Sequence, residues 1–123
     1  KNILYRNAVQ DWLYNVKMMN SISNAMGAEF FLFLQPTMGI SEAQTPKDKT
    51  SKNYKIYNEA KKFYYDQIKE HYKQFKEYCA ILDFCYDISE IATTDKEVYF
   101  DPRHHNEKGN TIISDEIYKI IFD

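Results

Sequence analysis

The chain has 123 residues, of which 16% are aromatic, and its formal net charge is −2, from 16 Lys and Arg against 18 Asp and Glu. The length suits one small domain, residues 1–123, with a modest core. Because the charges nearly balance, there is no general reason to expect nucleic acid or an anionic membrane as partner. No apolar run approaches the roughly 18–20 residues that cross a bilayer, so we expect no membrane span.

The first segment, residues 2–26, has apolar side chains at the spacing of a helix. These side chains are Tyr5, Val9, Trp12, Val16, Met19 and Ile22. The pattern predicts an amphipathic helix from about Asn2 to Met26 that ends at Gly27. Since the helical pattern begins within a few residues of Lys1, which is not Met, we expect this chain to be part of a longer protein, with processing or removal of a tag as the alternative explanation of its first residue.

A nearly continuous apolar run, Ala28–Leu34, follows this helix. It lacks the alternation of polar and apolar residues, which is typical of an interior strand in a parallel sheet with helices on both faces. Residues 37–51 are polar and predict a long loop, and Ala80–Phe84 predicts a second strand. If a missing N-terminal half supplies the neighbouring strands, Phe30–Leu34 is an exposed sheet edge that favours self-association.

Two further helices are predicted from their apolar stripes. The first runs from about Asn53 to Tyr78, with a stripe of Tyr57, Ala60, Tyr64, Ile68, Tyr72 and Phe75. The second begins after Asn106, a favourable N-cap residue, and buries Ile113, Ile117, Ile120 and Ile121. The order helix, strand, helix, strand, helix predicts an α/β domain with three layers, α/β/α, around a parallel sheet. Because only two clear strands are present, we expect a fragment of the full domain.

The chain contains two cysteines, Cys79 and Cys85. If Ala80–Phe84 is a strand, six residues at about 3.3 Å each place the two cysteines about 20 Å apart. A disulfide needs Cα atoms within about 7 Å of each other. We therefore predict two buried free thiols, and the cysteine count leaves the cellular compartment open.

The segment that points most directly to chemistry is Asp101-Pro102-Arg103-His104, which follows a brief extended piece, Val98–Phe100. Catalytic groups of open α/β sheets gather in loops at strand ends. An aspartate can hold one ring nitrogen of a histidine and stabilise its protonated form, while the other nitrogen transfers a proton. We predict these roles for Asp101 and His104, and we interpret the adjacent His105 as a rim or structural residue.

These residues, together with Asn106, Gly109-Asn110 and the Ile-rich helix that follows, resemble the C-terminal signature of the SGNH (GDSL-type) serine hydrolases. Phe33-Leu34-Gln35-Pro36-Thr37 and Tyr99-Phe100-Asp101 also resemble segments of bacterial members. The resemblance covers nearly the whole chain but only the second half of the family's domain. It implies a flavodoxin-like fold in which Asp101 orients His104, and His104 is the general base toward a serine.

By this resemblance the substrate is an acyl or acetyl ester of a small molecule or a carbohydrate, and no cofactor is needed. The family's Gly-Asp-Ser block and its Gly and Asn oxyanion donors have no counterpart in the chain. None of its serines has that context, so the nucleophile is assigned to none of them; they are Ser21, Ser23, Ser41, Ser51, Ser89 and Ser114.

Two alternatives from other classes stay open. One is a domain that has the fold without the nucleophile and serves in binding or assembly. The other is a metal-binding protein, since mixtures of His and carboxylate bind zinc and other divalent metals. Its ligands would be His104, His105 and Asp101, with Asp95 or Glu97.

Overall fold

The computed structural model describes residues 2–123, and the side chains of residues 7–123. The described chain forms, in order, α1 (Asn2–Ala25), β1 (Leu32–Leu34), α2 (Lys52–Glu59), α3 (Lys62–Cys79), β2 (Cys85–Asp87) and α4 (Glu107–Phe122). The mixture of helices with a parallel pair of strands agrees with the predicted α/β class. No helix in the described part of the chain is both long enough and apolar enough to cross a membrane.

The chain divides into two compact units. Unit 1 comprises Lys1–Leu34 and Glu70–Asp87, and unit 2 comprises Gln35–Lys69 and Ile88–Asp123. The candidate catalytic residues lie in unit 2. The predicted single domain over residues 1–123, as part of a longer one, stays a prediction.

The sheet of unit 1 is a parallel pair, with Leu32 opposite Cys85 and Leu34 opposite Asp87. The first predicted strand is thus present, but only over its last three residues. Its expected complete burial is not reached, because Leu34 is buried while Leu32 and Phe33 are half-buried. Three layers around a larger sheet are not seen in the described residues.

The prediction of a strand over Ala80–Phe84 is wrong. The backbone N–H of Ala80 donates to the carbonyl of Lys76, and the N–H of Cys85 donates to the carbonyl of Leu82. These bonds extend the end of α3 into a turn, and the strand begins only at Cys85. Apolar side chains at the end of a helix cannot be told from a short buried strand by their pattern alone.

The prediction of two free thiols is wrong for the same reason. Because the intervening residues turn, the Cα atoms of Cys79 and Cys85 lie 5.1 Å apart and the two sulfurs form a disulfide. The bond joins the last residue of α3 to the first residue of β2. It therefore fixes the path of the chain into the sheet of unit 1.

The predicted first helix and its end are confirmed. Val9 and Val16 are buried, and the ring of Trp12 packs against that of Phe75 at a centroid distance of 4.7 Å. Gly27 has φ +78, a left-handed conformation that suits glycine after a helix. Two other members of the predicted stripe, Met19 and Ile22, are 52% and 56% exposed. The side chain of Tyr5 lies outside the described residues.

The single helix predicted over residues 53–78 is wrong at its middle, where Ala60 is extended, with φ −86 and ψ 149. The break separates α2 from α3 and lets the ring of Tyr65 stack on that of Tyr57 at 4.1 Å. The Tyr65 hydroxyl also donates to the Tyr57 carbonyl, at 2.7 Å. In an unbroken helix, two residues eight apart are separated by about 12 Å along the axis. The tyrosine contact therefore depends on the break.

The core of unit 2 is built on irregular backbone as well as on helices. Its buried cluster consists of Met38, Ala92, Val98 and Tyr99, with Ile112 of α4 packed against it. The loop predicted over residues 37–51 is present. It is only partly solvated, because Thr37, Met38 and Gln44 are buried, whereas residues 47–50 are exposed.

The amide of Gln44 is the polar centre of unit 2. Its Nε2 donates to the carbonyls of Ser89 and Ile91, at 2.9 and 2.7 Å. Its Oε1 accepts from the hydroxyl of Tyr99, at 2.7 Å. Buried polar backbone groups need hydrogen-bond partners, and here a side chain supplies them where neither helix nor sheet does.

The last helix, α4, begins where it was predicted, with Asn106 as N-cap accepting from the N–H of Gly109 at 3.0 Å. Of its predicted core residues, Ile113, Ile117 and Ile120 are half-buried, whereas Ile121 is exposed. Gly109 lies directly against the backbone of Val98, since a Cβ on Gly109 would lie 2.4 Å from the Val98 carbonyl oxygen. Only glycine allows α4 to lie this close.

Candidate active site

The loop that precedes α4 is held at both ends. Tyr99 and His105 form an antiparallel bridge, and the N–H of Asn106 donates to the Val98 carbonyl at 2.9 Å. Within the loop, the N–H of Phe100 donates to the carbonyl of His104 at 2.8 Å. The backbone of residues 99–105 is therefore a closed turn against the core of unit 2.

The carboxylate of Asp101 organises this turn. Its Oδ1 accepts from the backbone N–H groups of Arg103 and His104, at 2.8 and 2.9 Å. Its Oδ2 lies 2.8 Å from Nδ1 of His104. The structure thus brings together the two residues that were predicted to pair, while their catalytic role stays a prediction.

The electrostatics keep this carboxylate ionised. Burial acts to raise the pKa of Asp101, but the hydrogen bonds from Arg103 and His104 outweigh it and lower that pKa below its usual value. A carboxylate facing Nδ1 favours the tautomer with the proton on that nitrogen. Nε2 of His104 is then free to accept a proton, and the side chain is 76% exposed.

His105 points toward the core rather than toward solvent. Its ring lies 4.5 Å from that of Tyr99, and its Nε2 is buried, with no hydrogen-bond partner among the described residues. Burial lowers the pKa of His105, and the neighbouring His104 lowers it further, whereas Asp101 acts to raise it. These contacts agree with the interpretation of His105 as a structural residue.

Two residues beside the pair were missed by the sequence interpretation. Nε of Arg103 donates to the hydroxyl of Tyr64 at 2.9 Å, and the guanidinium carbon lies 5.1 Å from the centroid of the Tyr64 ring. Tyr64 was assigned to the apolar stripe of one long helix. The break at Ala60 leaves the hydroxyl of Tyr64 within reach of the loop. This break has no clear signal in the sequence.

The metal-binding alternative finds no support in this region. Among the described residues, no group of three or more His, Cys, Asp or Glu side chains is arranged to hold a metal ion. Asp95 accepts a hydrogen bond from the hydroxyl of Thr93. The carbonyl of Glu97 accepts from the amide of Asn106, at 2.8 Å.

The side chains of Asp101 and His104 are 42% and 76% exposed. A cleft of about 700 Å³ does exist in unit 2, but neither Asp101 nor His104 lines it. Its walls are formed by Glu42, Ala43, Thr45, Lys47, Asp48, Ser51, Thr93, Thr94 and Asp95. The imidazole of His104 is accessible from outside this loop, because most of its side chain is exposed.

Several serine hydroxyls of the chain are occupied elsewhere. Ser41 donates to the carboxylate of Glu90 at 2.7 Å, and Ser51 donates to the carbonyl of Asp48 at 2.7 Å. Ser114 donates to the carbonyl of Thr111, within α4, at 3.0 Å. None of these three hydroxyl groups donates to a histidine ring, which is the base that the SGNH resemblance implies.

Comparison of the chain with protein-family models, with curated proteins and with solved structures finds no match. The resemblance to the SGNH hydrolases therefore depends on the residues quoted above and on the geometry they adopt.

Proposed function

We propose that Asp101 and His104 are the orienting carboxylate and the general base of an SGNH-type serine ester hydrolase. The nucleophilic serine and the oxyanion donors would come from outside residues 1–123. The observation that carries the proposal is the 2.8 Å contact between Oδ2 of Asp101 and Nδ1 of His104, on a histidine whose side chain is 76% exposed. This is the arrangement that a base in a catalytic triad requires.

In this mechanism Nε2 of His104 takes the hydroxyl proton of the serine while the serine oxygen attacks the ester carbonyl. The imidazolium that forms is stabilised by the ionised Asp101. It returns the proton to the alcohol oxygen as the ester bond breaks, which leaves an acyl-serine. A water then attacks the acyl group, its proton passes through the same nitrogen to the serine oxygen, and the free acid departs. The substrate is an acyl or acetyl ester of a small molecule or carbohydrate.

The test uses the protein as its gene encodes it, with p-nitrophenyl acetate as substrate. We expect His104→Ala and Asp101→Asn each to lower kcat by about 10³–10⁴-fold. Asp83→Asn is the matched control, because Asp83 is an exposed aspartate of unit 1. Unchanged turnover in His104→Ala rules out the proposed base.

A second experiment needs no nucleophile and can be made on residues 1–123 alone. The ring nitrogens of His104 are observed by ¹⁵N NMR at neutral pH. We expect the proton of the neutral ring on Nδ1, and we expect Asp101→Asn to increase the population of the other tautomer. An Nε2–H tautomer in the unmodified chain contradicts the mechanism.

The alternative is an SGNH-like domain without catalysis, which serves in binding or assembly. It is favoured by one specific observation, that the cleft of about 700 Å³ is not lined by the Asp–His pair. Labelling of the encoded protein with a fluorophosphonate distinguishes the two functions. A serine hydrolase is labelled covalently at its serine, and a binding domain is not.

A further inference from the structure

The side chain of Arg103 is held in place beside the proposed base. The backbone N–H groups of Arg103 and His104 both donate to Oδ1 of Asp101. The side chains of Arg103 and His104 therefore extend from the same hydrogen-bonded turn. A guanidinium has five N–H donors, of which Nε–H is used by the Tyr64 hydroxyl. Among residues 7–123, no acceptor is described for the two terminal Nη groups. These groups form the forked end that pairs with planar oxyanions.

The support for Arg103 continues into the core of unit 2. The Tyr64 ring packs edge-on against Tyr65, at a centroid distance of 5.2 Å. Tyr65 is buried and stacked on Tyr57, and it lies so close to Gly39 that a Cβ there would come within 2.3 Å of the ring. The guanidinium therefore rests on packed aromatic rings, which lowers the conformational entropy lost when it binds an anion.

Charged side chains of both signs lie within five residues of Tyr64 in the sequence, among them the cations Lys61 and Lys62 and the carboxylates Glu59 and Asp66. Lys61 and Lys62 precede Tyr64 and are exposed, and the first turn of α3 contains no acidic residue. The N-terminal end of a helix adds a partial positive charge of its own. The carboxylate nearest to Arg103 in the sequence, Asp101, already accepts from Arg103 and His104 through both of its oxygens.

We propose that Arg103 is a specificity-determining residue that binds a carboxylate of the ester substrate. The substrate class is then esters that carry a free carboxylate near the scissile bond, such as half-esters of dicarboxylic acids. The terminal Nη groups pair with the carboxylate, while the ester carbonyl lies toward His104. Tyr64 is a positioning residue that acts through the guanidinium. This inference rests on the proposed function.

The kinetic test compares mono-p-nitrophenyl succinate with p-nitrophenyl acetate in the encoded protein. We expect Arg103→Gln to lower the ratio of the two kcat/KM values about fivefold, mainly through KM for the charged ester, which is the scale of one exposed ion pair. Arg103→Lys should recover part of the loss, and Tyr64→Phe should cause a smaller one. Lys108→Gln, an exposed cation of α4, is the matched control and should leave the ratio unchanged.

The binding test uses residues 1–123 and is independent of any serine. Monomethyl succinate and dimethyl succinate are titrated separately while the ring protons of His104 are followed by NMR. We expect the charged half-ester to shift these protons, and Arg103→Gln to weaken its Kd about fivefold. The neutral diester should cause little shift.

The two tests separate the failure of the inference from the failure of the proposed function. Charge-selective, Arg103-dependent binding without any esterase activity supports the carboxylate site and contradicts the hydrolase. If the unmodified protein is an esterase and Arg103→Gln has the same ratio of the two kcat/KM values, the carboxylate site is overturned. Tighter binding of methyl phosphate than of the half-ester also overturns it, in favour of a phosphate.

Discussion

Units 1 and 2 are stabilised in different ways. Unit 1 contains α1, the second half of α3 and the parallel strand pair, and a disulfide joins the last of these helices to the sheet. Unit 2 contains long irregular segments whose carbonyl groups are satisfied by side chains. The side-chain amide of Gln44 donates hydrogen bonds to the carbonyls of Ser89 and Ile91. The amide of Asn53 donates to the carbonyls of Thr94 and Lys96, at 2.8 and 2.6 Å.

The difference shows how a chain of this size can build a core without much regular structure. Irregular backbone can be buried only if its polar groups find partners. In unit 2 these partners are amide side chains that are themselves fully buried. We therefore expect unit 2 to depend on a few polar residues, and unit 1 to depend on helix packing and its covalent link.

The largest effect is expected at Gln44. Gln44→Ala removes the hydrogen bonds that the amide makes with the Tyr99 hydroxyl and with the carbonyls of Ser89 and Ile91, and we expect a loss of about 3–4 kcal/mol in the free energy of unfolding. The measurement is urea unfolding followed by circular dichroism. Gln67→Ala, which changes a half-buried glutamine of α3, is the control. An equal midpoint for both variants contradicts the assigned role of the amide.

The second comparison uses two glycines that share a left-handed conformation, Gly39 at φ +88 and Gly27 at φ +78. A Cβ at Gly39 overlaps the Tyr65 ring, whereas a Cβ at Gly27 has nothing within 4 Å. Gly39→Ala should cost about 3 kcal/mol, from the backbone and from overpacking. Gly27→Ala should cost only about 1 kcal/mol. Similar losses in the two variants would mean that the ring contact is unimportant.

The third prediction concerns the disulfide of unit 1. Replacement of Cys79 and Cys85 together by Ser should lower the free energy of unfolding by about 2 kcal/mol, since the closed loop is short. Trp12 is the only tryptophan of the chain and packs within unit 1, so its fluorescence reports on that unit. We expect the midpoint of its urea transition to fall. An unaltered midpoint after reduction of the unmodified chain argues against the pairing.

The smallest effect is a dependence on pH. Because its folded-state pKa is lowered, His105 is neutral in the fold and binds a proton more readily once the chain unfolds. Stability from this residue is complete above about pH 6.5. It is lost as the pH falls through the lowered folded pKa. His104 and Asp101 act on this pKa in opposite directions, and the Tyr99 ring covers the imidazole.

His105→Phe keeps a ring against Tyr99 and removes this titration. The difference in urea midpoint between pH 7.5 and pH 5.5 should therefore be smaller in the variant than in the unmodified chain. The same difference in both proteins would show that other groups cause the pH dependence.

Much of the helical structure could be predicted from the sequence, because apolar spacing and terminal signals agree at both ends of the chain. Gly27 marks the end of α1, and Asn106 marks the start of α4. The contact between Asp101 and His104 could be predicted for a similar reason, since three residues of separation allow a turn to bring them together. Each of these features is determined by neighbours in sequence.

The features that were missed depend on distant parts of the chain. The break at Ala60 is linked to the contact of Tyr57 with Tyr65, and its neighbours give no helix-ending signal that would locate it. The disulfide depends on the exact end of α3, and element boundaries are the least certain part of a sequence-based prediction. The burial of Gln44 depends on carbonyl groups more than forty residues away.

The bridge between Tyr99 and His105 has a consequence for how this region tolerates insertions and deletions. The Tyr99–His105 bridge and the start of α4 fix the two ends of the loop over residues 99–105. The number of residues in this loop therefore matters as much as their identity. One added residue between Asp101 and His104 would separate the carboxylate from the imidazole, whatever its side chain. Variation in length is thus far more restricted here than in an ordinary surface loop.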